Sequence, residues 1–309
     1  MAMTPDDGLL HLASGAWELE VRPARGGAVT ALRHCGRDVL VSPGMSAEDA
    51  MGSASFVLAP YANRIAHGEL SHRGRRWTLP RNFGDHAHPL HGTGWKRSWS
   101  VVAQQADAIE LALRHDADGH WPWPFAARQR VHLRADAGHF ELAVCNAADE
   151  AAPMGVGFHP AFAACPATRL RMQVGGVWLI DADSLPVSRA SATAVLPELP
   201  APVPALRGAL VDHCFTHWSR ELTIDHAGAE GELAVTMTAS PGMDFLQLYM
   251  PPGKNWFCAE PMSQMPDAIH HAVPGAGAGA GDGETGLRWL APGEALRAWM
   301  RIAARSQRE

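Results

Sequence analysis

The sequence predicts a mainly antiparallel β fold. Apolar and polar residues alternate with period two in one segment after another, as in Trp17–Val21 and Ile109–Leu113, and this is the pattern of a strand with one buried face. Short clusters of glycine and aspartate separate such segments, and they reverse the chain because they tolerate positive φ. We find no long amphipathic helix with apolar residues at i, i+3, i+4 and i+7.

The predicted elements follow one another to the end of the chain. The strands are Trp17–Val21, Ile109–Leu113, Phe140–Val144, Leu222–Ile224, Leu233–Met237, Phe245–Met250 and Leu296–Ile302. The hairpin turns are Asp116–Gly119, Asp136–Gly138 and Ala227–Gly231. Prolines crowd the segment Leu185–Leu206, and because proline cannot donate to a β ladder we expect a long surface excursion there, without a central strand.

The length of 309 residues is compatible with one large unit, since all-β sandwiches often run long as a single domain. We therefore expect one domain over 1–309. The segment Pro274–Gly283 consists mainly of glycine and alanine, which is the composition of a mobile linker. Strand-like sequence resumes after it, so we expect a flexible loop at 274–286 inside that domain.

Composition excludes several classes of function. Hydrophobic residues make up 47% and charged residues 19% of the chain, as in an ordinary soluble globular protein. The net charge is -6 and no run of lysine or arginine occurs, so nucleic acid is not an expected partner. The chain begins with no signal-like pattern and has no spanning apolar segment, which predicts a cytoplasmic protein without membrane contact.

The five cysteines are scattered, which argues against a disulfide framework. The oligomeric state is left open.

The segments Leu58–Ile65 and Pro89–Trp95 combine the amide of Asn63, the guanidinium of Arg64 and the imidazole of His91 with apolar residues and glycines. Arginine supplies a rigid fork of donors and asparagine both donates and accepts, which suits a ligand with many hydroxyl groups. The pattern therefore indicates a sugar pocket. The alternative, that Asn63 and Arg64 only satisfy the polar groups of a loop, stays open from these segments alone.

Three further side chains are candidates for chemistry. His159 lies between an aromatic residue and a proline, and a rigidly held imidazole is a natural general acid or base. Glu260 lies among apolar residues before a proline. Burial would raise its pKa, whereas an adjacent arginine would make it part of a structural ion pair. From this segment alone we favour the ion pair. Asp212 precedes a histidine and could grip two hydroxyls or belong to an ordinary turn.

Other chemistries are less well supported. His86 and His88 would project to one side of an extended strand, and with His91 they raise the question of a zinc site. No further ligand occurs at a persuasive spacing, so we favour a metal-free site. A Gly-x-Ser-x-Gly hydrolase motif and a Gly-Lys-Ser/Thr phosphate loop are both missing from the sequence, which disfavours a serine hydrolase and a nucleotide-binding protein.

Taken together and in order, these segments resemble the aldose 1-epimerase (galactose mutarotase) family over nearly the whole chain. The motifs are Asn63–Ile65, Leu90–Gly92, His159–Phe162, Asp212–Phe215, Pro241–Tyr249 and Glu260–Pro261. Each motif is weak alone, but six in the same order are specific. The resemblance implies a large antiparallel β-sandwich, the galactose mutarotase-like supersandwich, with a sugar-binding cleft on one sheet.

The resemblance also implies roles for the site residues. Glu260 would be the general base that removes the proton of the anomeric hydroxyl, and His159 would protonate the ring oxygen. Asn63, Arg64, His91 and Asp212 would hold the sugar. Because the reaction only moves protons, no cofactor and no metal is expected. Trp95, Phe162 and Trp256 could stack on the pyranose, although each also fits a core position.

The chain departs from the family pattern in ways that leave the sugar open. Ala161 stands where many members have an aromatic residue, and no asparagine follows Phe162. We expect a mutarotase for a free aldose. One alternative is a hexose 6-phosphate 1-epimerase, which would need an arginine cluster for the phosphate dianion. The other is a carbohydrate-binding module without catalysis, against which the retention of both Glu260 and His159 weighs.

Overall fold

The computed structural model describes residues 8–45, 48–226, 232–271 and 284–307. Within these ranges the chain is mostly strand, with one short helix, α1 (Ala268–His271), and 3-10 turns at Ala66–Gly68, Gly94–Lys96 and Ala192–Ala194. In chain order the strands are β1 (Leu10–Ser14), β2 (Trp17–Arg22), β3 (Ala28–His34), β4 (Arg37–Leu40), β5 (Val57–Leu58), β6 (Glu69–His72), β7 (Arg75–Thr78), β8 (Ser100–Gln104), β9 (Ala108–His115), β10 (Phe125–Arg134), β11 (Ala137–Asn146), β12 (Ala152–Met154), β13 (Gly157–Phe158), β14 (Ala161–Ala163), β15 (Arg169–Met172), β16 (Gly176–Ile180), β17 (Pro186–Ala190), β18 (Val203–Pro204), β19 (Val211–Thr216), β20 (Glu221–His226), β21 (Glu232–Ala239), β22 (Phe245–Met250), β23 (Trp256–Met262), β24 (Arg288–Leu290) and β25 (Ala295–Gln307).

Two large antiparallel sheets contain most of the described strands, and β6 with β7 and β12 with β24 form two separate small pairs. The first has the order β1-β2-β3-β4-β14-β23-β22-β19-β16-β17, with β13 beside β23 and β5 beside β13. The second has the order β18-β15-β20-β21-β25-β11-β10-β9-β8. Apolar residues from strands of both sheets belong to one hydrophobic cluster. The chain is therefore an all-β sandwich, as the sequence predicts.

The period-two segments are strands with one buried face. In β2 the side chains of Trp17, Leu19 and Val21 are buried and alternate with more exposed residues, and β9 repeats this alternation. Pairing with both neighbours fixes the register, because a slip of one residue would turn the apolar face of a strand toward solvent. Burying a large apolar side chain contributes about 1.5–3 kcal/mol, so the core specifies the register strongly.

The predicted connections have mixed outcomes. A tight turn joins β10 to β11 at residues 135–136, so of the predicted turn Asp136–Gly138 the last two residues already belong to β11. The predicted turn Asp116–Gly119 is the start of a longer connection from β9 to β10. The proline-rich segment includes no central strand, but it does form β17 and β18, each at the edge of a sheet. Edge positions tolerate proline because the missing N–H would face outward. The turn Ala227–Gly231 and most of the loop 274–286 lie outside the described residues.

The remaining predictions about the chain concern helices and cysteines. Among the described residues no helix has the length and apolar character needed to cross a membrane. All five cysteines are free thiols, and two of them, Cys214 and Cys258, are buried.

The second sheet contains a stacked pair of histidines that predicts acid sensitivity. His132 on β10 lies directly opposite His139 on β11, and their rings are 4.7 Å apart and nearly parallel. Burial is the main cause that lowers the pKa of both imidazoles. For His132 the charge of Glu141 partly opposes this effect and nearby arginines add to it. For His139 the charge of His132 lowers the pKa further. Among the described residues neither ring nitrogen of His132 has a hydrogen-bond partner, and Glu141 Oε1 lies 3.7 Å from its Nδ1.

The unfolded chain binds a proton on each of these imidazoles more tightly than the folded protein does. The stability linked to the two neutral rings is therefore fully present above the ordinary histidine pKa of 6.5 and is lost as pH falls below it. The melting temperature is therefore expected to fall between pH 6.5 and 5, by about 2–4 °C for each kcal/mol lost. In a His132→Gln/His139→Gln variant this slope should be shallower. The exposed His11→Gln is the control, and an equal slope in the double variant would contradict the prediction.

Candidate active site

Cross-strand register builds the floor of a pocket on the first sheet. Directly opposed residues of antiparallel strands point to the same side of a sheet. One row consists of Glu260, Gln247 and Cys214, and the next consists of Ala161, Cys258, Tyr249 and Asp212. The second row and Glu260 line the pocket, whereas Gln247 and Cys214 are not among its described lining residues. The pairs Gly157 with Met262 and Ala161 with Cys258 bracket His159 and place it across from Glu260. Four strands from three separate parts of the sequence therefore converge on one surface.

His159 and Glu260 form a buried pair. The distance from His159 Nε2 to Glu260 Oε1 is 3.3 Å, and the side chains are 15% and 3% exposed. Burial lowers the pKa of His159 to about 4. Burial, and after it the charge of Asp212, raises the pKa of Glu260 well above its usual value. Without a ligand the neutral forms are thus favoured, and between these two pKa values the pair holds one proton.

The imidazole of His159 is fixed by its surroundings. Its backbone N–H donates to Phe56 O at 2.9 Å, and its ring stacks on the Phe56 ring at 4.4 Å. The ring of His91 meets it edge-on at 5.2 Å. Because the ring is packed on one face and bounded at its edge, Nε2 is held toward Glu260, and no rotamer search is needed before a proton moves.

The segments around Asn63 and His91 lock into each other. Both residues have left-handed backbones, with φ of 60° and 58°. The backbone N–H of Asn63 donates to His91 Nδ1 at 3.1 Å, and the backbone N–H of His91 donates to Asn63 O at 2.9 Å. The next residue, Gly92, has no room for a side chain, since a Cβ there would lie 2.2 Å from Ala59 O. The strained conformation is thus held by contacts on both sides.

These bonds determine the tautomer of His91. Burial lowers the pKa of this imidazole well below its usual value, so the ring is neutral. Nδ1 accepts a hydrogen bond from a backbone N–H, and therefore Nε2 bears the proton. His91, which lines the pocket, is a hydrogen-bond donor and not a base.

Arg64 is held by a network of polar contacts. Its Nη2 donates to Asp212 Oδ2 at 2.9 Å, and its Nη1 donates to Asn63 Oδ1 at 3.1 Å. Gln247 Nε2 donates to the other oxygen of Asp212 at 2.5 Å. The Nε of Arg64 is buried without a partner in the described protein. The guanidinium and the carboxylate are therefore presented together, each oriented by an amide.

Asp267 fixes the backbone that directly follows Arg64. Its backbone N–H donates to Arg64 O at 2.8 Å, and its Oδ1 accepts from the backbone N–H of Ala66 at 2.8 Å. Its side chain is 6% exposed. Asp267 and Gln247 are positioning residues that the motifs do not reveal. Gln247 could have been found from the alternation of β22, since it lies two residues from Tyr249, whereas Asp267 acts through a contact between distant segments.

The pocket has a volume of about 470 Å³, within the range of about 300–1,000 Å³ for small-molecule sites. All six residues predicted from the sequence line it: Asn63, Arg64, His91, His159, Asp212 and Glu260. Of the three aromatic residues proposed for stacking, only Trp256 lines the pocket. Trp95 and Phe162 are fully buried core residues. Glu260 pairs with His159, and the buried arginine pairs instead with Asp212.

The pattern His86, His88, His91 does not form a metal site. His88 is buried and accepts a hydrogen bond from the backbone of His67, whereas His86 is exposed at the pocket. In the part of the chain that the structure describes, the ligand atoms of His91, His159 and Glu260 lie within 4.8 Å of one another. A metal on His91 Nε2 would require the proton to move to Nδ1, which faces the N–H of Asn63. The donor set therefore suits hydrogen bonding better than metal binding.

The fold and this pocket define a β-sandwich protein with a small-molecule site whose polar groups can move protons. The chain belongs to the aldose 1-epimerase family, since the family model described as Aldose 1-epimerase matches residues 17–303. The uncharacterized protein YphB of Escherichia coli K12 is 31% identical, over 85% of this chain and 88% of its own length.

Solved structures agree with this assignment. A protein of Escherichia coli K12 described provisionally as an aldose 1-epimerase has a TM-score of 0.85 and 28% identity, covering 97% of this chain and 99% of that one. A galactose mutarotase-like protein of Clostridium acetobutylicum has a TM-score of 0.82 and 18% identity, covering 97% of this chain and 95% of the other. The second likeness extends to the fold alone.

Proposed function

We propose that this protein is an aldose 1-epimerase that interconverts the α and β anomers of a free aldose. The observation that carries the proposal is the buried His159–Glu260 pair, with 3.3 Å between Nε2 and Oε1, in the pocket that also presents Arg64, Asp212 and His91. Ring opening needs one group to take a proton and another to give one, and this pair supplies both.

The proposed reaction begins on the cyclic sugar with Glu260 as carboxylate and His159 as imidazolium. Glu260 takes the proton of the anomeric hydroxyl, the bond between C1 and the ring oxygen breaks, and His159 protonates that oxygen. The free aldehyde forms, and rotation about the bond from C1 to C2 exposes its other face. Glu260 then protonates the carbonyl oxygen while His159 takes the hydroxyl proton, which closes the opposite anomer.

This cycle needs no net exchange of protons with solvent. The ion-pair form and the neutral form of His159 and Glu260 contain the same single proton, and each half of the reaction converts one form into the other. The neutral form, which burial favours, is the one that closes the open-chain aldehyde. Asn63, Arg64, His91 and Asp212 hold the hydroxyl groups in this proposal, with His91 donating from Nε2.

A free aldose suits the pocket better than a sugar phosphate. The described residues that line the pocket include one permanent cation, Arg64, and two carboxylates, Asp212 and Glu260. Two arginines near the first motifs have partners elsewhere: Arg75 pairs with Glu150, and Arg97 pairs with Asp118. A phosphate dianion would thus meet one cation already paired with a carboxylate.

The experiment is a panel of free and 6-phosphorylated aldoses, followed by polarimetry or one-dimensional NMR exchange, with the spontaneous rate subtracted. We expect acceleration of free aldoses. Acceleration of phosphorylated sugars alone would favour the hexose 6-phosphate epimerase, and tight sugar binding without acceleration would favour a binding module.

The protonation of the pair also predicts a pH profile. Activity requires one proton on the pair, and His159, with a pKa lowered to about 4, takes up a second one only in acid. We expect kcat/KM to be level through neutral pH and to fall about tenfold per unit once the pH drops below that pKa. An alkaline fall should follow the raised pKa of Glu260. Circular dichroism at each pH checks folding, and an acid limb centred at the ordinary histidine value would contradict this assignment.

A further inference from the structure

The proposed function fixes the direction in which the sugar lies, and this inference rests on it. If Glu260 takes the proton of the anomeric hydroxyl and His159 protonates the ring oxygen, C1 lies near Glu260. The ring oxygen is bonded only to C1 and C5. Carbon C5 and its exocyclic substituent must therefore lie beyond His159, on the side of the pocket formed by β14.

Arg64 and Asp212 lie on the opposite side, whereas His91 lies beside His159. Asp212 on β19 is at one end of its cross-strand row and Ala161 on β14 is at the other, with β22 and β23 between them. Neighbouring strands are about 4.8 Å apart, so the two ends are separated by roughly 14 Å. Arg64 and Gln247 both contact Asp212, so the polar groups are concentrated away from β14.

The wall on the β14 side is apolar. Its floor consists of Ala161 and Cys258, which are opposite each other in register and 1% and 2% exposed, with Trp256 beyond them. Burial, and after it the charge of Glu260, raises the pKa of the Cys258 thiol well above its usual value. The thiol is therefore neutral and a weak hydrogen-bond donor.

The described residues of the neighbouring segment add one side-chain hydroxyl to this wall. The backbone N–H of Val41 donates to Ala161 O at 2.9 Å, and that of Gly44 donates to Gly52 O at 3.2 Å, so this segment lies beside β14. The described residues that it contributes to the pocket are Pro43, Gly44, Met51, Gly52 and Ser53. The only hydroxyl among them, that of Ser53, already donates to Ser55 O.

We propose that this wall is the subsite for the C5 substituent, and that the enzyme prefers 6-deoxyaldoses, whose C5 carries a methyl group, over hexoses with a hydroxyl on C6. A methyl group would gain from contact with Ala161, Cys258 and Trp256. A C6 hydroxyl placed against this floor would lose water, and neither the methyl group of Ala161 nor the thiol of Cys258 would give it a hydrogen bond of comparable strength. The preference is expected to be about ten- to a hundredfold in kcat/KM, as apolar pockets discriminate an added hydroxyl.

The test compares sugars that differ only at C6, so that the unknown preference for ring configuration cancels within each pair. The pairs are galactose and 6-deoxygalactose, glucose and 6-deoxyglucose, and mannose and 6-deoxymannose. The proposal expects the 6-deoxy member to be favoured in whichever pair is turned over best. Acceleration with a ratio near one, or in favour of the hexose, would overturn this inference and leave the proposed function intact. Failure to accelerate any aldose would overturn the proposed function first.

Matched variants locate the effect on the wall. Cys258→Ser adds a hydroxyl without added volume and should shift the ratio toward the hexose by about tenfold or less. Cys214→Ser makes the same change at a buried cysteine of the neighbouring row that does not line the pocket, and it should leave the ratio unchanged. Ala161→Ser repeats the test if Cys258→Ser folds poorly. An unchanged ratio in folded Cys258→Ser and Ala161→Ser, or an equal shift in Cys214→Ser, would place the preference elsewhere and overturn the proposal.

Discussion

Replacing Glu260 by glutamine is expected to lower kcat by about a hundred- to ten-thousandfold, the usual contribution of a general acid or base. Glutamine keeps the size of the side chain and its hydrogen-bonding ability, but it cannot take the proton of the anomeric hydroxyl. Sugar binding should change far less, because Arg64, Asp212 and His91 are untouched. Single-turnover or exchange kinetics and sugar affinity, measured on one preparation, separate these two effects.

The same variant tests whether Glu260 has a structural role instead. Burial raises its pKa, so the unfolded chain releases this proton more easily, and the stability that depends on it is lost as pH rises above the ordinary value of 4.5. Glutamine does not ionise, so this loss of stability at higher pH disappears, and the melting temperature at neutral pH should stay level or rise. Glu221→Gln, an exposed carboxylate on β20, is the control. A folded, sugar-binding Glu260→Gln protein with near-normal kcat would remove Glu260 from the mechanism.

The fold was predictable where alternation is strong. Segments such as Ile109–Leu113 and Phe140–Val144 lie inside β9 and β11, because large apolar residues occupy every buried position. Strand β10 has the same alternating burial but places Ala127 and Gln129 at inward positions. An alanine and a glutamine do not distinguish a buried strand from a loop, so the alternation of the sequence does not predict this central strand. In the structure, pairing with its two neighbouring strands fixes its register.

The site was predictable by residue type but not by arrangement. The motifs predicted the six polar residues that meet in the pocket, because guanidinium, amide, imidazole and carboxylate groups are uncommon among apolar neighbours. The partner of Glu260 was not predictable from its own segment, since it depends on the register between β14 and β23. Asp267 was hidden for the same reason, because its bond to Ala66 joins residues 201 positions apart.

The second large effect is expected at Asp212. Its salt bridge with Arg64 is nearly buried, with side-chain exposures of 11% and 9%. Asp212→Ala would leave the guanidinium inside the protein without its partner, which typically costs about 3–5 kcal/mol. For a chain of this size each kcal/mol lowers the melting temperature by about 2–4 °C, so a fall on the order of 10 °C is expected in thermal unfolding.

Two comparisons show whether that loss comes from the unpaired charge. Asp225→Ala breaks the exposed salt bridge with Arg171, whose side chains are 40% and 62% exposed, and should cost no more than about 1 kcal/mol. The double variant Arg64→Met/Asp212→Leu removes both charges and should recover much of the stability lost in Asp212→Ala, because no uncompensated charge remains. Recovered stability without recovered activity would show that the pair is kept for the sugar and not for the fold. If Asp212→Ala melts like Asp225→Ala, Arg64 is satisfied by other groups and the pair does not organise the pocket.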